Sequence, residues 1–358
     1  MQKPGRTGAI TRLATLSLLL SLVLPLGASI TVPQTVLAQA ACGTDYPSEN
    51  VQIMAPAAPG GGWDTTAREI QAALQSGVID EGVEVFNVEG SGGTIGLAQL
   101  ASDNEGDPHT LMVMGLVMIG AIATNQAPVG LEEVVPLARL TAEFEVIVVP
   151  KDSKYQTLAD LLTDFQANPG GISWAGGSAG GTDHILVGLI AQAAGIDPTL
   201  INYVPYSGGG EALAAILGNQ VSAGVSGISE WQDQIATGEL RALAVSGSAE
   251  SNATPVAGGS ATPQAASASV APTLKEQGID VELANWRGIV AAPGVSAEDQ
   301  SCIVNMLQAM HGSEAWTQAL AKYGWQDYFQ TGDEFGQYLT SERERIVEIL
   351  TQIGLVEA

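Results

Sequence analysis

Two kinds of residue spacing in this chain could do chemistry. The first is Ala58-Pro59-Gly60-Gly61-Gly62-Trp63-Asp64-Thr65-Thr66-Ala67-Arg68-Glu69, set between a short apolar run at 51–56 and an amphipathic run at 67–74. Glycines between a strand and a helix let backbone approach a ligand closely, and the free N–H groups and dipole of the helix start make an anion seat. Asp64 or Thr65 can cap that helix, and Thr66 with Glu69 has capping-box spacing. Asp64 would repel an anion unless it turns back to cap. Arg68 reads as its partner or as a buttress, and Trp63 as a ligand-facing or plugging ring. A second loop of this kind is Glu89-Gly90-Ser91-Gly92-Gly93-Thr94-Ile95-Gly96. The other spacing is Gly176-Gly177-Ser178-Ala179-Gly180, a G-x-S-x-G match in strand–turn–helix context, which would make Ser178 a hydrolase nucleophile. Its base would have to be His184, six residues on in the same helix, or the distant His311. Neither is placed as a triad base, so hydrolysis is the alternative reading. Dinucleotide binding fails because Ile95 stands where G-x-G-x-x-G needs its last glycine. His109 reads as a solvated turn residue, and no metal-ligand spacing occurs.

The elements that must position these loops alternate. Strand-like runs at 51–55, 84–88, 110–115, 135–140 and 144–149 interleave with helical runs at 97–102 and 118–124. A second unit begins near Pro150 and repeats the plan. Its helices are at 157–165, 183–194, 211–217 and 229–236, and its strands at 172–175, 200–205, 221–225 and 242–245. The pattern predicts an α/β fold with a mostly parallel sheet, whose ligands sit beyond the carboxyl ends of the strands. The stretch 246–271 is Ala/Ser/Gly/Pro-rich and reads as a surface loop. A helix restarts at 272–277, a strand surrounds Trp286–Val290, and the tail is helical at 296–310, 313–323 and 332–353.

The chain has 358 residues, enough for two domains, and a formal net charge of −25, which excludes a nucleic-acid binder. Lys3, Arg6 and Arg12 precede an apolar run at 13–26 and an Ala38-Gln39-Ala40 site, so residues 1–40 read as a secretory signal. The mature chain is expected to be exported and soluble, with no cofactor. Cys42 and Cys302 are the two cysteines. Cys42 follows the cleavage site and could carry a lipid anchor, but Gln39 stands where lipoprotein signals carry Leu. A Cys42–Cys302 disulfide is the simpler account in an exported chain.

The order of APGGGWDTTAR, VEGSGGTIGLAQLA, LMVMGLVMIGAIATN, GGSAGGTDH, YVPYSGGGEALAAILGNQVSAGVSGISEW, LRALAVSG and NWRGIVAAPG resembles the extracytoplasmic receptors of tripartite tricarboxylate transporters, the Bug receptors, in their tricarboxylate-like branch. The resemblance runs from about Tyr46 to the C-terminus. It implies a two-lobed, type II-like Venus-flytrap fold with a hinge and C-terminal helices. Lobe one would hold 45–147 plus 285–358, and lobe two 148–284. It implies a monomer that takes a carboxylate, citrate or another di- or tricarboxylate, and hands it to membrane subunits. Carried across, the proximal contacts would be Pro59, Gly60, Gly61, Gly62, Trp63, Asp64 and Thr65, with Ser91, Gly92, Gly93 and Thr94. The distal contacts would be Ser178, Ala179, Thr182 and Asp183, with Tyr206, Ser207 and Gly208. The stretch 246–271 departs from the family, which has a shorter turn there.

Overall fold

The computed structural model describes residues 46–247 and 270–357. The leader expected at 1–40, Cys42 and most of 246–271 lie outside the described residues. The chain opens with β1 (Val51–Ala55), α1 (Gly62–Gln75), β2 (Val83–Asn87), α2 (Thr94–Asp103), β3 (Thr110–Gly115) and α3 (Leu116–Asn125). A long β4 (Val135–Pro150) follows, then α4 (Leu158–Ala167), β5 (Ser173–Gly176), α5 (Thr182–Ala193), β6 (Asn202–Pro205), α6 (Gly209–Leu217), β7 (Ala223–Gly227), α7 (Ile228–Ala236) and β8 (Leu240–Val245). The chain closes with β9 (Ala284–Ala291), α8 (Ala297–His311), α9 (Glu314–Tyr323), β10 (Gln326–Thr331) and α10 (Gly332–Gln352).

Strands run in the order β2-β1-β3-β9-β4-β7-β5-β6, with β8 and β10 pairing β4. β1 is parallel to β2 and β3, and β5 to β6 and β7. β9 lies antiparallel to β3 and β4, and β4 antiparallel to β7, β8 and β10. The expected mostly parallel sheet is therefore corrected to a mixed one: two parallel groups joined through β9 and β4, which run against them. The two strands expected at 135–140 and 144–149 are one strand. Thr141 and Glu143 break the apolar pattern there, yet both are buried, Glu143 against Arg287 and Thr141 donating to the Gln326 carbonyl. β10, a stretch for which the sequence pattern predicts no element, pairs antiparallel with β4. The helix expected at 272–277 is a single 3₁₀ turn, Lys275–Gln277.

Side-chain caps explain three of the α-helix starts among the described residues. Thr157 and Asp160 form a full capping box on α4, and Ser296 and Ser313 cap α8 and α9. The capping box expected from Thr66 and Glu69 does not form. α1 starts at Gly62, one turn earlier, so Thr66 lies inside it and donates to the Gly62 carbonyl. Glu69 instead meets Lys322 and Tyr323 of α9. One face of α1 (Ala67, Ile70, Ala73 and Leu74) is buried, and each large side chain there is worth roughly 1.5–3 kcal/mol. That burial fixes the axis of α1, and so where its N-terminus points.

Candidate functional site

α1 begins without a side-chain cap. Its N-cap is Gly61, in extended backbone, and the first-turn N–H groups of Gly62 and Trp63 find no acceptor among the described residues. The nearest acid, Asp64, has turned away. Its carboxylate accepts from the Gly60 N–H at 2.8 Å and the Asn87 amide at 2.9 Å, and takes both ends of the Arg68 fork. Burial pushes this carboxyl up, but Arg68, the Gly60 N–H and Asn87 outweigh it and hold it below 3.8. Asp64 and Arg68 thus brace the loop from behind and leave its dipole uncancelled. The second loop turns at Ser91–Gly93 before α2. Gly92 sits at φ 62°, where a side chain would also strike Ala121 and reach 3.4 Å from Ser178 Cβ. A residue larger than glycine has no room there, because Ala121 of α3 stands in the way and the backbone has a positive φ.

That opposing loop follows β5. Gly177 is held by Asp183, which accepts its N–H at 2.6 Å, and by Tyr203, whose hydroxyl donates to its carbonyl at 2.8 Å. α5 has Gly181 as N-cap and α6 has Gly208, neither with a side-chain cap. Acids fill part of these helix starts: the Ser207 N–H donates to Glu211, and the Gly209 N–H to Glu230 at 3.1 Å. The N-termini of α1, α5 and α6 and the turn at Ser91–Gly93 open onto one cavity of about 360 Å³.

Of the residues expected from sequence, Gly61, Gly62, Trp63, Ser91, Gly92 and Gly93 line the cavity from one side. Ser178, Ala179, Thr182, Asp183, Tyr206, Ser207 and Gly208 line it from the other. Pro59, Gly60, Asp64, Thr65 and Thr94 are not among its lining. Sequence reasoning missed Gly209, Ser226, Glu230, Asn285 and Arg287, which form the floor. The signal was faint: a lone arginine inside the apolar strand β9, and an acid two residues into α7.

The floor is a buried charge cluster. Arg287 pairs with Glu143, both side chains 2% exposed, and lies over the Trp325 ring at 5.4 Å. Glu145, on the same strand as Glu143, is fully buried and receives no hydrogen bond from any donor among the described residues. Burial, then the neighbouring Asp183 and Glu143, push its carboxyl far up. Burial likewise raises Asp183, against the pull of the Gly177 N–H. Burial and then Glu143 raise Glu230 from 4.5 to about 8, with Arg287 opposing.

Ser178 lines the cavity but has no base. His184 Nδ1 accepts from the Gly180 N–H at 3.2 Å, and its ring stacks on Tyr203 at 4.1 Å. Burial drops it from 6.5 to about 4, so it is neutral. His311 is engaged with Asp327 at the end of α8. Among the described residues no cluster of acids, histidines or cysteines could hold a metal ion.

Known proteins share the arrangement of this chain. BugT of Bordetella pertussis is 26% identical over 314 residues, covering 86% of this chain and 90% of that protein. The periplasmic binding protein BugD superposes with a TM-score of 0.72 at 22% identity, over 87% of this chain and 99% of that one. MatC from Rhodopseudomonas palustris with bound malate gives 0.71 at 21% identity, over 85% and 100%. The fold is the two-lobed one of periplasmic binding proteins, of which BugD is one by name. Residues 66–355 match the tripartite tricarboxylate transporter family receptor, and the chain belongs to that family.

Proposed function

We propose that this chain is an exported solute receptor that captures a small carboxylate and delivers it to the membrane subunits of a tripartite tricarboxylate-type transporter. The observation that carries the reading is the convergence of uncapped backbone N–H groups from α1 and the Ser91–Gly93 turn on one cavity, with Asp64 held out of the way. Such groups attract an anion locally, whatever the sign of the net charge. Dicarboxylates and tricarboxylates, citrate among them, are the favoured class, and the malate in MatC supports a dicarboxylate. Lobe one is residues 45–147 plus 285–358, and lobe two is 148–284. The carboxylate sits against the first two glycine loops, and the loops at 177–183 and 206–209 close over it. The protein acts as a monomer, and the leader at 1–40 is removed on export.

Titration calorimetry of the mature protein against mono-, di- and tricarboxylates tests this. The expected result is saturable one-to-one binding of at least one di- or tricarboxylate. A folded protein that binds none of them would overturn it.

A further inference from the structure

Glu230 reaches across the cavity from α7. Its Oε2 accepts the Gly209 N–H, which leaves Oε1 facing Gly62 at the N-terminus of α1. A Cβ placed on Gly62 would strike the Arg287 guanidinium first and lie 3.1 Å from that oxygen, so Arg287 and Glu230 stand side by side against the start of α1. This is the place where, on the carboxylate reading above, the ligand's negative oxygens sit. Two carboxylates cannot both stay ionised at such a site, out of bulk water, and the Arg287 charge beside them is already taken by Glu143. We infer that Glu230 grips the captured carboxylate as a neutral acid, with Oε1–H donating to the ligand, so that closure over the ligand takes a proton from solvent.

The groups facing Glu230 agree with this. β4 presents Glu143 and Glu145, α5 presents Asp183, α6 presents Glu211, and β9 presents Arg287. On α1, Asp64 is turned towards Arg68. Acids outnumber the one arginine, and a ligand carboxylate adds another negative charge. Burial already raises Glu230 to about 8 in the cavity. Without ligand the cleft is taken as open to water, which relieves that burial and lets the carboxyl fall back towards its ordinary range, so that closure restores the raised value. A group whose bound-state value is raised contributes affinity that is full below the free value and lost as pH rises through the bound value. Affinity is therefore highest in acid and falls by up to about tenfold per pH unit as pH climbs towards about 8.

Calorimetry with adipate, malate and citrate, repeated in buffers of different ionisation heat near neutral pH, reads the proton directly. The expected result is uptake of about one proton per ligand bound, and affinity falling as pH rises. Glu230→Gln keeps a donor but cannot titrate: it should still bind, more weakly at low pH, with proton uptake and pH slope gone. Glu230→Ala should weaken binding by at least about tenfold. Wild-type binding with no proton change, or with proton release, overturns the inference and leaves the carboxylate reading standing. Undiminished uptake in Glu230→Gln also overturns it and assigns the proton to the Asp183–Glu145 pair. If none of the carboxylates binds, both readings fall. Should Glu230→Gln not fold, the wild-type proton count and pH slope still decide.

Discussion

Arg287 is the residue whose loss should be felt most. It is buried on the cavity floor, where it pairs with Glu143 and approaches Thr66 at 3.5 Å. Removing one partner strands a buried charge, which costs about 3–5 kcal/mol. Arg287→Met should lower the unfolding free energy from denaturant titration by that amount, whereas Arg287→Met combined with Glu143→Gln should recover part of it. A double variant no more stable than the single would argue that the pair is not coupled. His184 gives a pH prediction at the same scale. Its folded value, about 4, is depressed below the ordinary 6.5. The unfolded chain therefore binds the proton first as pH falls, and stability present above 6.5 is lost towards 4. The loss is on the order of 3 kcal/mol for this residue alone. Glu230, Asp183 and Glu145 act with the opposite sign, since their folded values are raised. The measurable quantity is thus the difference between wild type and His184→Gln, which keeps an acceptor for Gly180. That difference should shrink from neutral pH to pH about 4; a constant difference would mean the ring is protonated as readily folded as unfolded.

At the scale of elements, α3 meets the loop after β5 with no side chain between them. A Cβ on Gly120 would strike the Gly180 carbonyl, and one on Gly180 would strike Thr124. Gly120→Val should therefore hold the loops at 177–183 away from the first two glycine loops. Carboxylate affinity should drop at least about tenfold, about 1.4 kcal/mol, while the protein stays folded. X-ray scattering of the variant with adipate should show the larger radius of an open form; compaction equal to wild type would show that α3 does not limit closure. α8 carries a second element-scale prediction. Cys302 is buried there and is not a free thiol. A bond to Cys42 would tie the N-terminal segment to that helix, and a loop of that length contributes about 5 kcal/mol in the chain-entropy model. Intact-mass analysis of exported protein should show a chain two protons lighter than its reduced form, and reduction should lower the melting temperature without changing carboxylate affinity. A lipid adduct on Cys42 would replace this account.

For the whole molecule, the net charge of −25 opposes every approaching anion. The proposed seat works against that field with backbone dipoles fixed in place by the burial of α1 and by the Asp64–Arg68 brace. Added salt screens the distant repulsion but reaches the cavity weakly. Association should therefore speed up between low and physiological salt, while equilibrium affinity changes by less than about threefold. Stopped-flow and calorimetry at two ionic strengths check this. A steep loss of affinity with salt would point instead to exposed basic side chains.

Local chemistry was legible without the fold. The glycine loops at 58–62 and 90–93, the Thr157 and Ser296 caps, and most strands and helices follow from patterns spanning a few residues, where neighbours in sequence supply the hydrogen bonds. What crosses between distant segments was not legible. β4 looked like two strands because the partners of Thr141 and Glu143 lie far along the chain, on β10 and β9. The antiparallel course of β9 and β4 depends on which edge a strand joins, and no periodicity encodes that. No spacing singles out Glu230 or Arg287; only packing brings them under the N-terminus of α1. Sequence thus determined that there would be glycine loops at uncapped helix starts, because each is one loop and one helix start. The tertiary structure alone decided that these loops face each other over an acidic floor, because burial of charge exists only once remote strands have shut out water.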